Sequence, residues 1–317
     1  MSRTRGWIGA ALVLAVAAAA AAPAAAQSQL VVASGPVGGV WYPVASGMAE
    51  ILQNKAGFTV TQQPGGGISN VFNVAAGKAQ LGFTTADAAG AAIAGEGDFK
   101  GKAAPNLRLV GVLYGQQYNL AVFADSPIRK VQDLKGRALV TTPRGSSTEL
   151  MTRRVLEAHG LSYEDLKKVN YGSNADGVNM MKDGHAEVMS HLITNPAAYL
   201  MDLASSKPIR LISLDPAAVE RLVKFPGYTR TTIKAGIYKG QDQEALTLNS
   251  PVMLVTRAEM AEDLVYKLTR ALFENRAQLV NVHKVMEHFV AQDAARDPVA
   301  PIHPGALKYY REVGAVR

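Results

Sequence analysis

Short apolar runs alternate with amphipathic stretches along almost the whole chain, and this alternation narrows the fold more than any other feature. The apolar runs lie at residues 30–33, 59–62, 81–84, 107–113, 120–124, 138–141, 188–193, 209–213 and 252–256. Helical patterns lie between them, as at 44–53, 147–159 and 261–275. Strands alternating with helices need crossover connections, so the pattern predicts an α/β chain with largely parallel sheets covered by helices on both faces. The length suits two domains of ordinary size.

The first strand–helix junction is rich in information. Ser34-Gly-Pro-Val-Gly-Gly-Val-Trp-Tyr-Pro43 follows an apolar strand and precedes a helical pattern. Three glycines leave backbone N–H groups uncovered, and the helix dipole adds partial positive charge at that point. The loop is either a cradle for an anion or polar solute, or a tight turn that lets strand and helix pack.

Residues 1–26 read as a secretory signal peptide. Arg3 and Arg5 form a basic start, an apolar run extends from Trp7 to Ala22, and Ala24-Ala25-Ala26 offers a cleavage site with Gln27 as the new N-terminus. The apolar run is short and alanine-heavy for a retained membrane anchor. The chain contains no cysteine, which excludes disulfides, thiolate metal sites and a lipid-anchored cysteine. The expected location is therefore the periplasm. With Arg3 and Arg5 set aside, 31 of the 33 Lys+Arg remain against 26 Asp+Glu, a net of +5. The pairs Arg153-Arg154 and Lys167-Lys168 are too short for a nucleic-acid patch and read as solvated helix surface. The excess leaves a weak bias toward anionic ligands.

A faint internal repeat has a spacing of 107 residues. Gly65, Val71, Gly77, Ala79 and Leu81 align with Gly172, Val178, Gly184, Ala186 and Val188. Two strand–loop–helix–turn–strand units suggest two similar domains, with chance similarity between two βαβ units as the alternative. Ligands in open α/β sheets bind beyond the carboxyl ends of the strands. The loops 84–87 and 191–195 are then expected to face each other across a cleft. A third loop, Thr142-Pro-Arg-Gly-Ser-Ser-Thr-Glu149, precedes another helix. Ser146 and Glu149 fit a capping box. Ser147, Thr148 and the free helix amides could also meet a carboxylate. Arg144 could pair with it through two hydrogen bonds or face solvent.

Enzymatic readings find little support. There is no Gly-x-Ser-x-Gly elbow and no His-Glu-x-x-His pattern among the six histidines. His283 and His288 are expected at the surface, leaving His191 as the histidine expected in the cleft. Gly35-Pro-Val-Gly38 supplies neither a dinucleotide fingerprint nor a phosphate-binding Walker lysine. The expectation is a binding protein without catalytic residues, metal or cofactor.

Four motifs in order carry a family resemblance. They are Gly35-Pro-Val-Gly-Gly-Val-Trp-Tyr-Pro43, Asp125-Ser-x-Ile128 with Asp133-Leu-Lys-Gly136, Gly145-Ser-Ser-Thr-Glu149, and Ala235-Gly-Ile-Tyr-Lys-Gly-Gln-Asp242. Together they resemble the TAXI family of solute receptors for TRAP transporters, across essentially the whole mature chain. The resemblance implies a two-domain periplasmic-binding-protein fold (type II), each domain a mostly parallel sheet flanked by helices, joined by hinge strands near 118–124 and 246–254. The implied division is 27–117 with 236–317 for domain 1 and 118–235 for domain 2. It implies capture of one small carboxylate, such as glutamate or 2-oxoglutarate, by cleft closure. The implied partner is a fused, ion-gradient-driven TRAP permease, with the chain itself acting as a monomer. A receptor feeding a membrane histidine kinase is the alternative that sequence leaves open.

Site residues follow from the same resemblance. They are Ser34, Gly38, Gly39, Val40, Trp41 and Tyr42 from the first loop, Thr85 at a strand end, and Tyr114 before the first crossing. Arg144, Ser146, Ser147 and Thr148 come from the third loop, and His191 and Asn195 from the second repeat. Asp87 is expected to cap a helix. Trp41, Gln116, Arg144, Ser147 and His191 depart from the family pattern and point to a bulkier or more charged ligand.

Overall fold

The computed structural model describes residues 29–296 and 298–317, so the expected signal peptide lies outside the described residues. The first unit is β1 (Gln29–Ala33), α1 (Trp41–Ala56), β2 (Thr59–Gln63), α2 (Gly67–Ala75) and β3 (Leu81–Thr85). α3 (Ala86–Ala94) and β4 (Leu107–Tyr114) follow, and the chain then enters a second sheet at β5 (Gln117–Phe123). There it builds β6 (Ala138–Thr141), α4 (Ser147–Ala158), β7 (Lys168–Tyr171), α5 (Asn174–Lys182) and β8 (Val188–Ile193). It continues through α6 (Ala198–Ser206), β9 (Ile209–Leu211), α7 (Pro216–Leu222), β10 (Thr229–Ile233) and β11 (Ala245–Asn249). β12 (Val252–Arg257) returns to the first sheet, and α8 (Glu262–Glu274), α9 (Arg276–Val282), α10 (Ala291–Ala294) and α11 (Pro304–Glu312) complete it.

The strand orders are β2-β1-β3-β12-β4 and β10-β11-β5-β8-β6-β7, with β9 on β5. Within each sheet three neighbouring strands are parallel, β2-β1-β3 and β7-β6-β8. An antiparallel strand follows on the same side, β12 beside β3 and β5 beside β8, and the remaining strand pairings are antiparallel too. Both sheets are therefore mixed instead of largely parallel as expected: the two crossings and the β10–β11 hairpin reverse the chain without a helical crossover. The faint repeat is therefore structural. α2 and α5 occupy residues 67–75 and 174–182, the same 107-residue spacing, and Gly77 and Gly184 both turn with φ near +72° and +75°. Left-handed φ is open to glycine and strained for other residues.

Each apolar run of the sequence lies on a strand. β3 and β8 are buried at every position, and two apolar clusters cover the faces of each sheet. A strand covered on both faces reads as unbroken hydrophobicity. β7 and β10 are edge strands, largely exposed or half-buried, and carry no such run.

Two connections cross between the sheets, at Gly115-Gln116 and Ser250-Pro251. They lie side by side, the Ser250 amide donating to the Gln116 carbonyl at 2.9 Å. This relocates the expected hinge strands. Residues 118–121 are laddered to β8 and 245–249 to β10, so the short links at 115–116 and 250–251 cross between the sheets. It also moves β11 into the second sheet, whereas the expected division placed everything from 236 onward with domain 1.

Beside the crossings the two halves share a buried polar contact. Asp87 accepts from Tyr228 OH at 2.8 Å and from Ser250 Oγ at 2.7 Å, with the Arg154 guanidinium at 3.7 Å. Asp87 thus ties the halves together, and no side chain caps α3. Leu150 of α4 packs into the alanine-rich cluster around α3, extending the contact with apolar surface.

Candidate ligand-binding cleft

The carboxyl ends of β1, β6 and β8 lead into loops that enclose a cavity of about 820 Å³ between the sheets. The first-sheet wall comes from Pro36, residues 38–41, Pro43, residues 65–67, Ser69 and the segment 283–288; the second-sheet wall comes from 142–148 and 191–199.

The two walls touch. No side chain caps α2, and its first-turn amides find a partner across the cleft. Ile68 N and Ser69 N donate to the Gly145 carbonyl at 3.2 and 3.4 Å. Such close approach needs glycine. A Cβ on Gly66 would lie 2.9 Å from the Gly145 carbonyl oxygen, and one on Gly67 would collide with Ser147 Oγ. Orphan amides at a helix start must be satisfied somewhere, and here the opposite wall supplies the acceptor.

Ten of the sequence-expected residues line the cavity: Gly38, Gly39, Val40, Trp41, Arg144, Ser146, Ser147, Thr148, His191 and Asn195. Trp41 both walls the cavity and packs on the core, its ring centroid 6.0 Å from Phe83. Gly35 makes room for it, since a Cβ there would sit 2.8 Å from Trp41 Cβ. Arg144 lies over the Tyr171 ring at 5.5 Å and makes no ion pair with an acidic side chain among the described residues. Ser146 caps α4 by accepting from Glu149 N at 3.3 Å, but the box is half made: the Glu149 carboxylate turns to Arg153 at 2.9 Å. Thr148 Oγ1 accepts the Leu192 amide at 3.3 Å and so fastens the start of α4 to β8.

Ser147 is 4% exposed, and its hydroxyl has no hydrogen-bond partner within the protein. A buried, unpartnered hydroxyl costs about 1–3 kcal/mol. His191 is buried against Tyr199, centroids 4.9 Å apart, and burial lowers its pKa to about 3, so the ring is neutral at physiological pH. The Tyr199 hydroxyl is likewise buried without a partner, and burial raises its pKa far above the ordinary value.

Asn195 is on the wall but its amide is occupied: Nδ2 donates to Gln117 Oε1 at 2.9 Å, and Oδ1 accepts from Tyr238 OH at 2.6 Å. It braces the first crossing; the peptide bond to Pro196 is cis.

Ser34, Tyr42, Thr85 and Tyr114 are not on the cavity wall. Ser34 is buried at the end of β1, where its hydroxyl contacts the Gln63 carbonyl and Gln62 Nε2. Tyr42 contributes its carbonyl to Gln62 Nε2 at 3.0 Å. Thr85 and Tyr114 flank Val252 across three adjacent strands and are fully packed. Burial raises the Tyr114 hydroxyl, and the Trp41 side chain beside it offsets part of that rise. The expected facing of loops 84–87 and 191–195 is therefore met on one side only. α3 begins directly after β3, and its first turn is drawn into the Asp87 contact instead.

The wall includes residues that sequence reasoning passed over. Tyr199 belongs to α6 and to no motif. The Pro64-Gly-Gly-Gly67 loop was visible as part of the repeat, without a sign that it reaches the opposite wall. His283 and His288 line the cavity; His288 is exposed, as expected, whereas His283 is half-buried and accepts the Val285 amide through Nδ1 at 3.2 Å. Among the described residues no cluster of three or more His, Asp or Glu is arranged to hold a metal ion.

The sequence pattern of the NMT1-like family matches residues 32–314. The chain belongs to the NMT1-like family. Its architecture is also similar to solved structures. PhnD1 from Prochlorococcus marinus, in complex with methylphosphonate, aligns with TM-score 0.55 and 12% identity over 92% of this chain and 100% of that one. The periplasmic binding protein BugD aligns with TM-score 0.54 and 16% identity over 91% and 95%. XAC2383 from Xanthomonas citri, bound to ATP, aligns with TM-score 0.53 and 13% identity over 91% and 96%. This NMT1-like protein thus has the two-domain α/β fold of periplasmic binding proteins.

Proposed function

We propose that this chain is a periplasmic solute receptor of the TAXI type, which captures a small organic acid by cleft closure and presents it to a TRAP membrane permease. The observation that carries the reading is the meeting of two helix starts over one cavity. The α2 amides already hold a carbonyl of the opposite wall, and α4 begins at the unpartnered Ser147 beside Arg144. Helix N-termini favour negative charge, and a guanidinium adds a further donor group.

The ligand's contribution is to bridge walls that belong to different sheets, shifting the open–closed equilibrium by its differential affinity for the closed form. Paired crossings only two residues long are suited to such a motion. The four sequence motifs support the TAXI assignment, and the apolar, basic start of the chain supports export. A thermal-shift screen of carboxylates against neutral solutes tests the ligand class: acids raise the melting temperature under this reading, and a rise with neutral solutes alone refutes it. Arg144→Ala is expected to weaken the best acid about tenfold, and unchanged affinity removes Arg144 from the site. A permease gene beside this one in its genome is the expected arrangement for transport.

A further inference from the structure

We infer that the acid bound in this cleft carries a flat apolar body and no ammonium group. This deepens the organic-acid reading above and rests on it.

The charge of the wall comes first. Its cationic side chains are Arg144 and Lys284, and its carboxylate is Glu287, exposed at the mouth. An ammonium carried into the cavity meets no buried carboxylate among the described lining residues, and a buried charge without a partner is costly. His191 cannot serve as a cation there, since burial keeps it neutral.

The polar capacity of the second wall is largely spent. Thr142 and Ser146 pair with each other, Thr148 holds the Leu192 amide, Thr194 donates to the Gly115 carbonyl, and Asn195 is bonded at both ends of its amide. A ligand rich in hydroxyls or amides finds few partners among them. Among the described residues that line the cavity, the fully buried side-chain groups left without partners are Ser147 Oγ and the Tyr199 hydroxyl. Two donors suit one acid group, and the desolvation cost of both is recovered when it binds.

Apart from the amides of Gln116 and Asn174, what remains of the wall is largely aromatic and aliphatic: Trp41, the His191–Tyr199 ring pair, Leu192, Ile193 and Val285. A cavity of about 820 Å³ falls in the upper part of the range that holds drug-sized ligands, about 300–1,000 Å³. Aromatic walls reward a flat ring through area and ring-to-ring geometry.

Calorimetric titration of the purified protein with four probes tests this: phenylpyruvate, phenylalanine, 2-oxoglutarate and glutamate. Phenylpyruvate is expected to bind at least tenfold more tightly than each of the others. Phenylalanine binding as well as phenylpyruvate overturns the exclusion of the ammonium. Tight binding of 2-oxoglutarate or glutamate overturns the apolar body while leaving the organic-acid reading in place. Absence of binding by all four overturns the inference, and the carboxylate screen then decides whether the broader reading falls with it. Tyr199→Phe, which removes one hydroxyl and keeps the ring, is expected to weaken phenylpyruvate about fivefold; no change takes the Tyr199 donor out of the site.

Discussion

On the first-sheet side, the cleft wall at residues 36–41 and 65–69 is mostly glycine and proline with one indole; on the second-sheet side, residues 142–148 and 191–199 bring hydroxyls, a guanidinium and an imidazole. The two sides descend from equivalent units. Gly38 and Gly145 stand 107 residues apart, with φ near +86° and +84°, and each lies just before a helix whose start faces the cavity. At the next equivalent places Val40 and Trp41 stand against Ser147 and Thr148. One scaffold has thus been given two tasks. Bare backbone lets the first wall approach closely and accept a partner across the gap. Side chains on the second wall set which chemistry the closed cavity accepts.

The largest expected effect lies where the two sides are joined. Asp87→Ala leaves Arg154 and Tyr228 buried without their acceptor, and breaking a buried pair in this way costs about 3–5 kcal/mol. Denaturant unfolding measures it, and a loss below about 1 kcal/mol would mean that the joint adds little to the coupling of the halves.

His191 gives the second side the stronger pH signature, since its imidazole is the more deeply buried. Its folded pKa of about 3 lies below the ordinary 6.5, so the unfolded chain takes up a proton that the folded chain refuses. Stability is then full above pH 6.5 and falls as pH drops toward 3, by about 2 kcal/mol at pH 5 from this group. His159, His283 and His303 are shifted in the same direction, so the test is a difference: His191→Gln should show a flatter stability profile than the parent between pH 7 and 5.

Gly67→Ala probes the close approach itself. The new methyl meets Ser147 Oγ and should hold the walls apart, lowering acid affinity at least tenfold, about 1.4 kcal/mol, with little change in melting temperature. Ser147→Ala removes the colliding oxygen together with a proposed acid donor, so the double variant should lose less affinity than the sum of the two single variants. Strict additivity of the two would place the effect elsewhere.

The smallest expected change is at the α4 cap. Ser146→Ala removes the acceptor for Glu149 N, worth about 1 kcal/mol. α1, the equivalent helix on the first side, has no side-chain cap.

Much of the scaffold was legible in the residues. Buried strands such as β3 and β8 are runs rich in apolar residues, Gly77 and Gly184 mark equivalent turns, and Ser146 announces a helix start. Edge strands β7 and β10 escaped notice because a strand with one solvated edge and few buried positions carries no such run. Within the site, local sequence found what local geometry decides: the loops before α1 and α4. Ser34, Tyr42, Thr85 and Tyr114 lie off the cavity wall: Ser34 is bonded at the end of β1, Tyr42 offers its carbonyl to Gln62, and Thr85 and Tyr114 are buried between strands.

The sequence by itself determined the alternation of elements, the repeat, and the loops beyond β1 and β6, because periodicity and glycine chemistry act over a few residues. Only the tertiary structure decided that β11 joins the second sheet, that Asp87 ties the halves instead of capping a helix, and that Tyr199 and His283 reach the same cavity as Trp41. These depend on contacts between segments as much as 163 residues apart, as Asp87 and Ser250 are, and such contacts leave no local pattern to read.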